Sequence, residues 1–150
     1  MKYIRRAALS DAGRLAEIEI FNYRLNFYPI FRCDDYYFNE LTVENQLPAC
    51  AQAISRTYVY DDGVIKGFIR VQGEEIEKLF VEPVLQGQGI GAALLQFALK
   101  RCGARTLWAL EKNTRAIAFY ERHGFEKTGE KKPEDDTDEY LIQLARAQEV

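Results

Sequence analysis

The chain has 150 residues, 47% of them apolar, which is enough for one domain with a sizeable core. A net charge of −3 and an isoelectric point near 5.3 argue against nucleic acid as the main partner, because phosphate backbones want a basic field. No apolar run approaches membrane-spanning length, and the N-terminus lacks a signal-type apolar region.

Cys33, Cys50 and Cys102 are odd in number and lack metal-ligand spacing. They read as reduced thiols, and the expectation is a cytoplasmic protein with no metal and no membrane partner. With His123 as the one histidine, a histidine-based metal site or a Ser-His-Asp triad is disfavoured, and His123 reads as a cap charge at a helix end.

Residues 3–8 read as a first strand. Ser10 or Asp11 then caps a helix whose face is set by Leu15, Ile18, Asn22 and Leu25. Eight of the nineteen aromatics fall between Phe21 and Phe38, and Pro29 breaks the helix among them. A second helix is expected from about Asp34 or Asp35 toward Ala53. The aromatics admit two readings: they cover the sheet, or the segment walls an acceptor site. On the second reading Phe27, Tyr28 and Phe31 bind substrate, rimmed by Arg32, Asp34 and Asp35.

Residues 56–60 and 64–72 form a hairpin about Asp61-Asp62-Gly63, and a central strand, Ile76 to Val81, ends at Pro83. Gly87, Gly89 and Gly91 follow, and then Ile90, Leu94, Ala98 and Cys102 recur at helical spacing. A strand at 105–111 precedes a helix from Arg115 to His123, capped by Asn113 or Thr114 and ended by Gly124. Strands at 125–129 and 139–145 close the chain around a solvated loop, 131–138. The fold class is α+β and sandwich-like. A central mixed, mostly antiparallel sheet of about seven strands is flanked by about four helices in one domain, 1–150.

Strand, glycine-rich turn and helix gather unpaired N–H groups and a positive helix end at one point, which suits a phosphate. A nucleotide P-loop would need Lys-Ser/Thr after its last glycine, and Ala92-Ala93 stands there. The dinucleotide fingerprint needs a different glycine spacing. What remains is Gln86-Gly87-Gln88-Gly89-Ile90-Gly91, and here the chain resembles the GNAT N-acetyltransferase superfamily, small stand-alone bacterial type. A second block looks like the same family: Asn113, Ala116, Phe119, Tyr120, Gly124 and Phe125, spaced Asn-x-x-Ala-x-x-Phe-Tyr-x-x-x-Gly-Phe.

The resemblance implies a GNAT-like fold and acetyl-CoA as co-substrate. It implies pantetheine against the backbone near Phe80 and Val81 and pyrophosphate in the loop, from Gln86 through Gly87, Gln88, Gly89, Ile90 and Gly91 to Ala92. Asn113, Ala116, Phe119 and Tyr120 complete the cofactor site. Tyr120 is implied as general acid, a role suited to a phenol that is neutral at pH 7.

For the base, Glu75 and Glu77 are expected to share a face because strands alternate, and a water chain is the third option. The implied reaction is direct transfer of acetyl to a primary amine of a small molecule or protein, in a ternary complex. The family admits homodimers. A non-catalytic acyl-CoA-binding or sensing domain is the alternative, and an ATP- or NAD-binding domain is disfavoured by the glycine spacing.

Overall fold

Seven strands form one sheet in the order β1-β2-β3-β4-β5-β7-β6 in this computed structural model, which describes residues 1–147. The strands are β1 (Ile4–Arg6), β2 (Thr57–Asp61), β3 (Ile65–Gln72), β4 (Glu75–Val81), β5 (Thr106–Leu110), β6 (Glu126–Pro133) and β7 (Tyr140–Ala145). All neighbours run antiparallel except β4 and β5, which are parallel. A parallel pair needs a crossover, and the helix between those two strands supplies it.

The helical segments are α1 (Ala12–Asn26), α2 (Tyr28–Phe31), a wide π turn (Tyr36–Glu40), α3 (Val43–Gln52), α4 (Ile90–Arg101) and α5 (Thr114–Arg122). That makes six helical segments among the described residues, besides short 3-10 turns, where the sequence suggested four. The expected single helix from 34 to 53 divides because Leu41 leaves helical geometry, with ψ at 83°. Thr42 then restarts the chain as α3 by accepting from the Asn45 N–H at 3.2 Å. Pro48 lies inside α3 without ending it. Pro29 does mark a break: α1 stops at Asn26, and the proline sits in the first turn of α2, where a missing N–H is harmless.

One core cluster joins Leu94, Leu95 and Ala98 of α4 to Ile69, Leu107, Leu144 and Ile117. A second joins Leu15, Ile18 and Cys50 of α1 and α3 to Val59 and Phe68. Leu25, expected on the buried face of α1, is 45% exposed. Asp11 precedes α1, but its carboxylate caps nothing there. It accepts from the Ala8 N–H at 2.7 Å and from Arg5 at 2.8 Å.

Two further departures concern the strands. β6 runs on to Pro133 and pairs Lys131, Lys132 and Pro133 with β7, so the first three residues of the expected loop are strand. All its residues are exposed, so no apolar alternation announces it. In β4, Arg70 of β3 faces Lys78 and Val71 faces Ile76, which leaves Glu77 without an opposite number. This bulge resets the alternation. Ile76 turns into the core under α4, while Lys78 turns the other way to pair with Glu19 of α1.

Candidate active site

β4 and β5 are joined at two positions only, Glu75 with Thr106 and Ile76 with Leu107. Beyond them β4 continues to Val81 and β5 to Leu110, and the strands part. The gap opens a cleft of about 420 Å³, with Leu79, Phe80 and Val81 along one wall and α5 along the other. The edge of β4 that lines it has no strand beside it, so the main chain there is available to an extended ligand bearing amides.

At the mouth of the cleft lies the glycine loop. Gly87 and Gly89 both take φ of +83°, a left-handed conformation that side chains disfavour. Gly89 is the N-cap of α4, and no side chain caps it. The first intrahelical bond is from the Ala93 N–H to the Gly89 carbonyl at 3.0 Å. Helix geometry therefore leaves the N–H groups of Ile90, Gly91 and Ala92 open at the positive end of the dipole.

The loop is braced from behind. Asn22 of α1, 2% exposed, donates to the Val81 carbonyl at 2.9 Å and accepts from Gln86 at 3.2 Å. Gln86 is thus part of the brace, which is a reason for a glutamine at the head of the loop. Gly67 of β3 allows close packing here, since a Cβ would lie 2.9 Å from the Phe80 carbonyl oxygen.

On the facing wall, Asn113 caps α5 by accepting from the Ala116 N–H at 3.3 Å. Tyr120 is 9% exposed, its ring set against Phe119 and Phe125 with centroids 5.3 and 5.6 Å away. Burial pushes its phenol well up from the ordinary value, so the hydroxyl keeps its proton at neutral pH. The charged side chains lining the cleft are Arg115 and Arg122, and no Asp or Glu lines it among the described residues. A net-acidic chain thus presents a cationic wall at this cleft.

The residues expected to hold the cofactor converge here: Phe80, Val81, Gln86, Gly87, Gly89, Ile90, Gly91, Ala92, Asn113, Ala116, Phe119 and Tyr120 all line the cleft. Gln88 does not; it is exposed at the tip of the loop. Glu75 and Glu77 also lie off the cleft, and Glu77 pairs with Arg56 at 3.2 Å. Phe27, Tyr28 and Phe31 pack instead against a separate cluster of Ile20, Tyr37 and Leu41, and Tyr28 also donates to Asp34. The sequence reading missed Asn22, Asn26, Arg115, Arg122 and His123 as cleft residues. For Asn22 a signal existed, since a polar residue on an apolar helix face needs a partner.

A family model described as an acetyltransferase (GNAT) domain matches residues 53–127, half of the chain. The chain belongs to the GNAT acetyltransferase family. Peptidyl-lysine N-acetyltransferase YjaB of Salmonella typhimurium is 39% identical over 69 residues, 46% of this chain and 48% of that protein. The chain thus matches about half the length of such curated relatives. Among solved structures, apo YjaB from Escherichia coli is 25% identical, with a TM-score of 0.76 over 95% of each chain. The PaiA N-acetyltransferase of Thermoplasma acidophilum, solved with coenzyme A, is 20% identical, with a TM-score of 0.69 over 96% of this chain and 98% of that one. The mixed seven-stranded sheet is thus the GNAT fold.

No helix among the described residues is long and apolar enough to cross a membrane. No group of three or more His, Cys, Asp or Glu among them is arranged to hold a metal ion.

Proposed function

We propose that the chain is an acetyl-CoA-dependent N-acetyltransferase acting on a primary amine, with a protein lysine side chain as the leading acceptor class and small amines as the other. The observation that carries this is the parting of β4 and β5 after two paired residues, beside an uncapped helix N-terminus and a buried tyrosine. That combination fits a long ligand with amides in the middle, phosphates at one end and a reacting thioester at the other. The acceptor class is supported by relatives named peptidyl-lysine N-acetyltransferases.

In this reading the amine nitrogen attacks the thioester carbonyl carbon in a ternary complex, and the C–S bond breaks with its electron pair leaving on sulfur. Tyr120 gives its hydroxyl proton to that sulfur. The edge contacts with Phe119 and Phe125 hold its ring, and burial keeps it protonated. The open edge of β4 at Leu79–Val81 aligns the pantetheine arm, and Ile90, Gly91 and Ala92 offer their N–H groups to the phosphates. With no carboxylate lining the cleft among the described residues, the amine gives up its proton through water. Glu75 and Glu77 act at most at the far end of that chain.

A melt with acetyl-CoA, CoA, ATP and NAD, followed by a thiol-release assay on a lysine peptide and a panel of amines, tests the proposal. Stabilisation by acetyl-CoA and CoA with amine-dependent thiol release is expected; ligand at about a hundred times its Kd contributes about 2.7 kcal/mol. Binding without release by any amine would leave a non-catalytic acyl-CoA-binding domain, and no binding would end both readings.

A further inference from the structure

His123 stands at the C-cap of α5, on the wall of the cleft. Its main-chain N–H bonds to the Tyr120 carbonyl at 2.9 Å, so the Phe119 carbonyl, which a continuing helix would have used, is left over. The ring of His123 takes it, with Nδ1 2.8 Å from the Phe119 oxygen. A carbonyl oxygen only accepts, so Nδ1 carries a hydrogen. The neutral ring then holds a lone pair at Nε2, and only the imidazolium has a second N–H to offer.

The ring also lies against Phe119, with centroids 4.6 Å apart. Phe119 in turn reaches the first turn of α4, where a Cβ on Gly91 would sit 3.7 Å from it. Phe119 thus lies between the imidazole and the first turn of α4, and all three line the same cleft.

We propose that His123 is a phosphate-binding group of the cleft that acts only as the imidazolium, so that binding of the CoA diphosphate takes up a proton. This rests on the reading of the cleft as a CoA site. A neutral His123 points a lone pair at an anionic oxygen; a protonated one points a charged donor, and charge-assisted bonds of that kind are the strong ones.

The charged side chains about His123 among the described residues are cations. Arg115 and Arg122 share the cleft from the same helix, and Arg146, beyond β7, donates Nε to the His123 carbonyl at 3.0 Å. All three stay charged across the range. The facing Asn22, Asn26 and Gln86 are neutral, the first turn of α4 has no titratable side chain, and Tyr120 keeps its proton.

Calorimetric titration of dephospho-CoA into the full chain, in buffers of low and high ionisation enthalpy, tests this directly. Its diphosphate stays ionised throughout, so a proton taken up goes to the protein. Net uptake is expected near pH 7, with affinity roughly tenfold weaker at pH 8 than at pH 5.5. His123→Gln should abolish the uptake and flatten the profile. Should that variant not fold, the wild-type uptake decides alone.

Uptake with CoA only, lost in His123→Gln, would place the contact at the 3′-phosphate and overturn the assignment to the diphosphate. Uptake retained in the variant, or a flat wild-type profile, would overturn the proposal while leaving the CoA reading intact. A variant that melts lower yet keeps the uptake would reduce His123 to a helix cap. No binding at any pH would overturn both readings.

Discussion

Asn22 on α1 donates its side-chain amide to the main-chain oxygen of Val81, the last residue of β4, at 2.9 Å. The same side chain receives Gln86, so one buried asparagine ties a helix, the end of the cleft strand and the head of the glycine loop together. Asn22→Ala leaves the Val81 oxygen with only the longer 3.4 Å contact from Gln86. The expected cost is about 1–3 kcal/mol, several degrees in Tm for a chain of this size. CoA affinity should fall with it, because the loop loses its brace. An unchanged melt together with unchanged affinity would refute the bracing role.

Gly89 sits at φ +83° with no heavy atom within 4 Å of the place where a Cβ would go. Replacement therefore meets conformational cost but no clash. Gly89→Ala should cost about 1–2 kcal/mol of stability and retain CoA binding. Gly89→Asp occupies left-handed geometry more readily than alanine, yet sets a carboxylate against phosphate, so binding should vanish. Equal CoA affinities for the two variants, read by calorimetry, would remove the phosphate from this loop.

Tyr120 and Glu77 should respond in opposite ways. Tyr120→Phe keeps the ring contacts and removes the acid, and thiol release should drop roughly a hundredfold or more with acetyl-CoA affinity little altered. Glu77→Gln weakens a half-exposed pair with Arg56, worth at most about 1 kcal/mol, and turnover should stay within about twofold. A tenfold loss in Glu77→Gln would return that carboxylate to the reaction as its base.

The buried phenols give the fold an alkaline limit. Burial raises Tyr120 and, with Glu19 nearby, raises Tyr23 well above the usual value; burial lifts Tyr37 to about 12. Each phenol holds its proton more tightly folded than unfolded. Its stabilisation is therefore complete below pH 10, the unfolded value, and is lost as pH rises toward 12 and beyond. Urea melts should give similar midpoints at pH 8 and 9 and a clearly lower one at pH 11. A midpoint that held or rose at pH 11 would contradict this sign.

Much of the cleft was legible because its parts are local. A glycine fixes its own backbone angle, Asn113 caps α5 by bonding to the N–H three residues on, and Tyr120 follows about two turns after Asn113. The rest depended on partners distant in the chain. Asn22 was visible on the α1 face, but Val81 and Gln86 lie some sixty residues on. Glu77 looked like a regular strand position, and the bulge that displaces it is defined by register against Arg70 and Val71. The aromatic run between Phe21 and Phe38 carried no mark of which face it would cover. His123 seemed a plain end-of-helix charge, and its ring does cap a carbonyl there. The wall it also lines exists only once β4 and β5 have parted.

Two residue pairs are all the ladder that stitches β1–β4 to β5–β7. The sheet is therefore two half-sheets meeting along a short seam, with helices packed across it. A ligand laid between the free edges of β4 and β5 acts as a splint, because each hydrogen bond it makes to one edge is made on behalf of the other half as well. Cohesion of the molecule and affinity for its ligand are thus partly one quantity, and slowed amide exchange at Leu79–Val81 and in β5 would be its most direct sign.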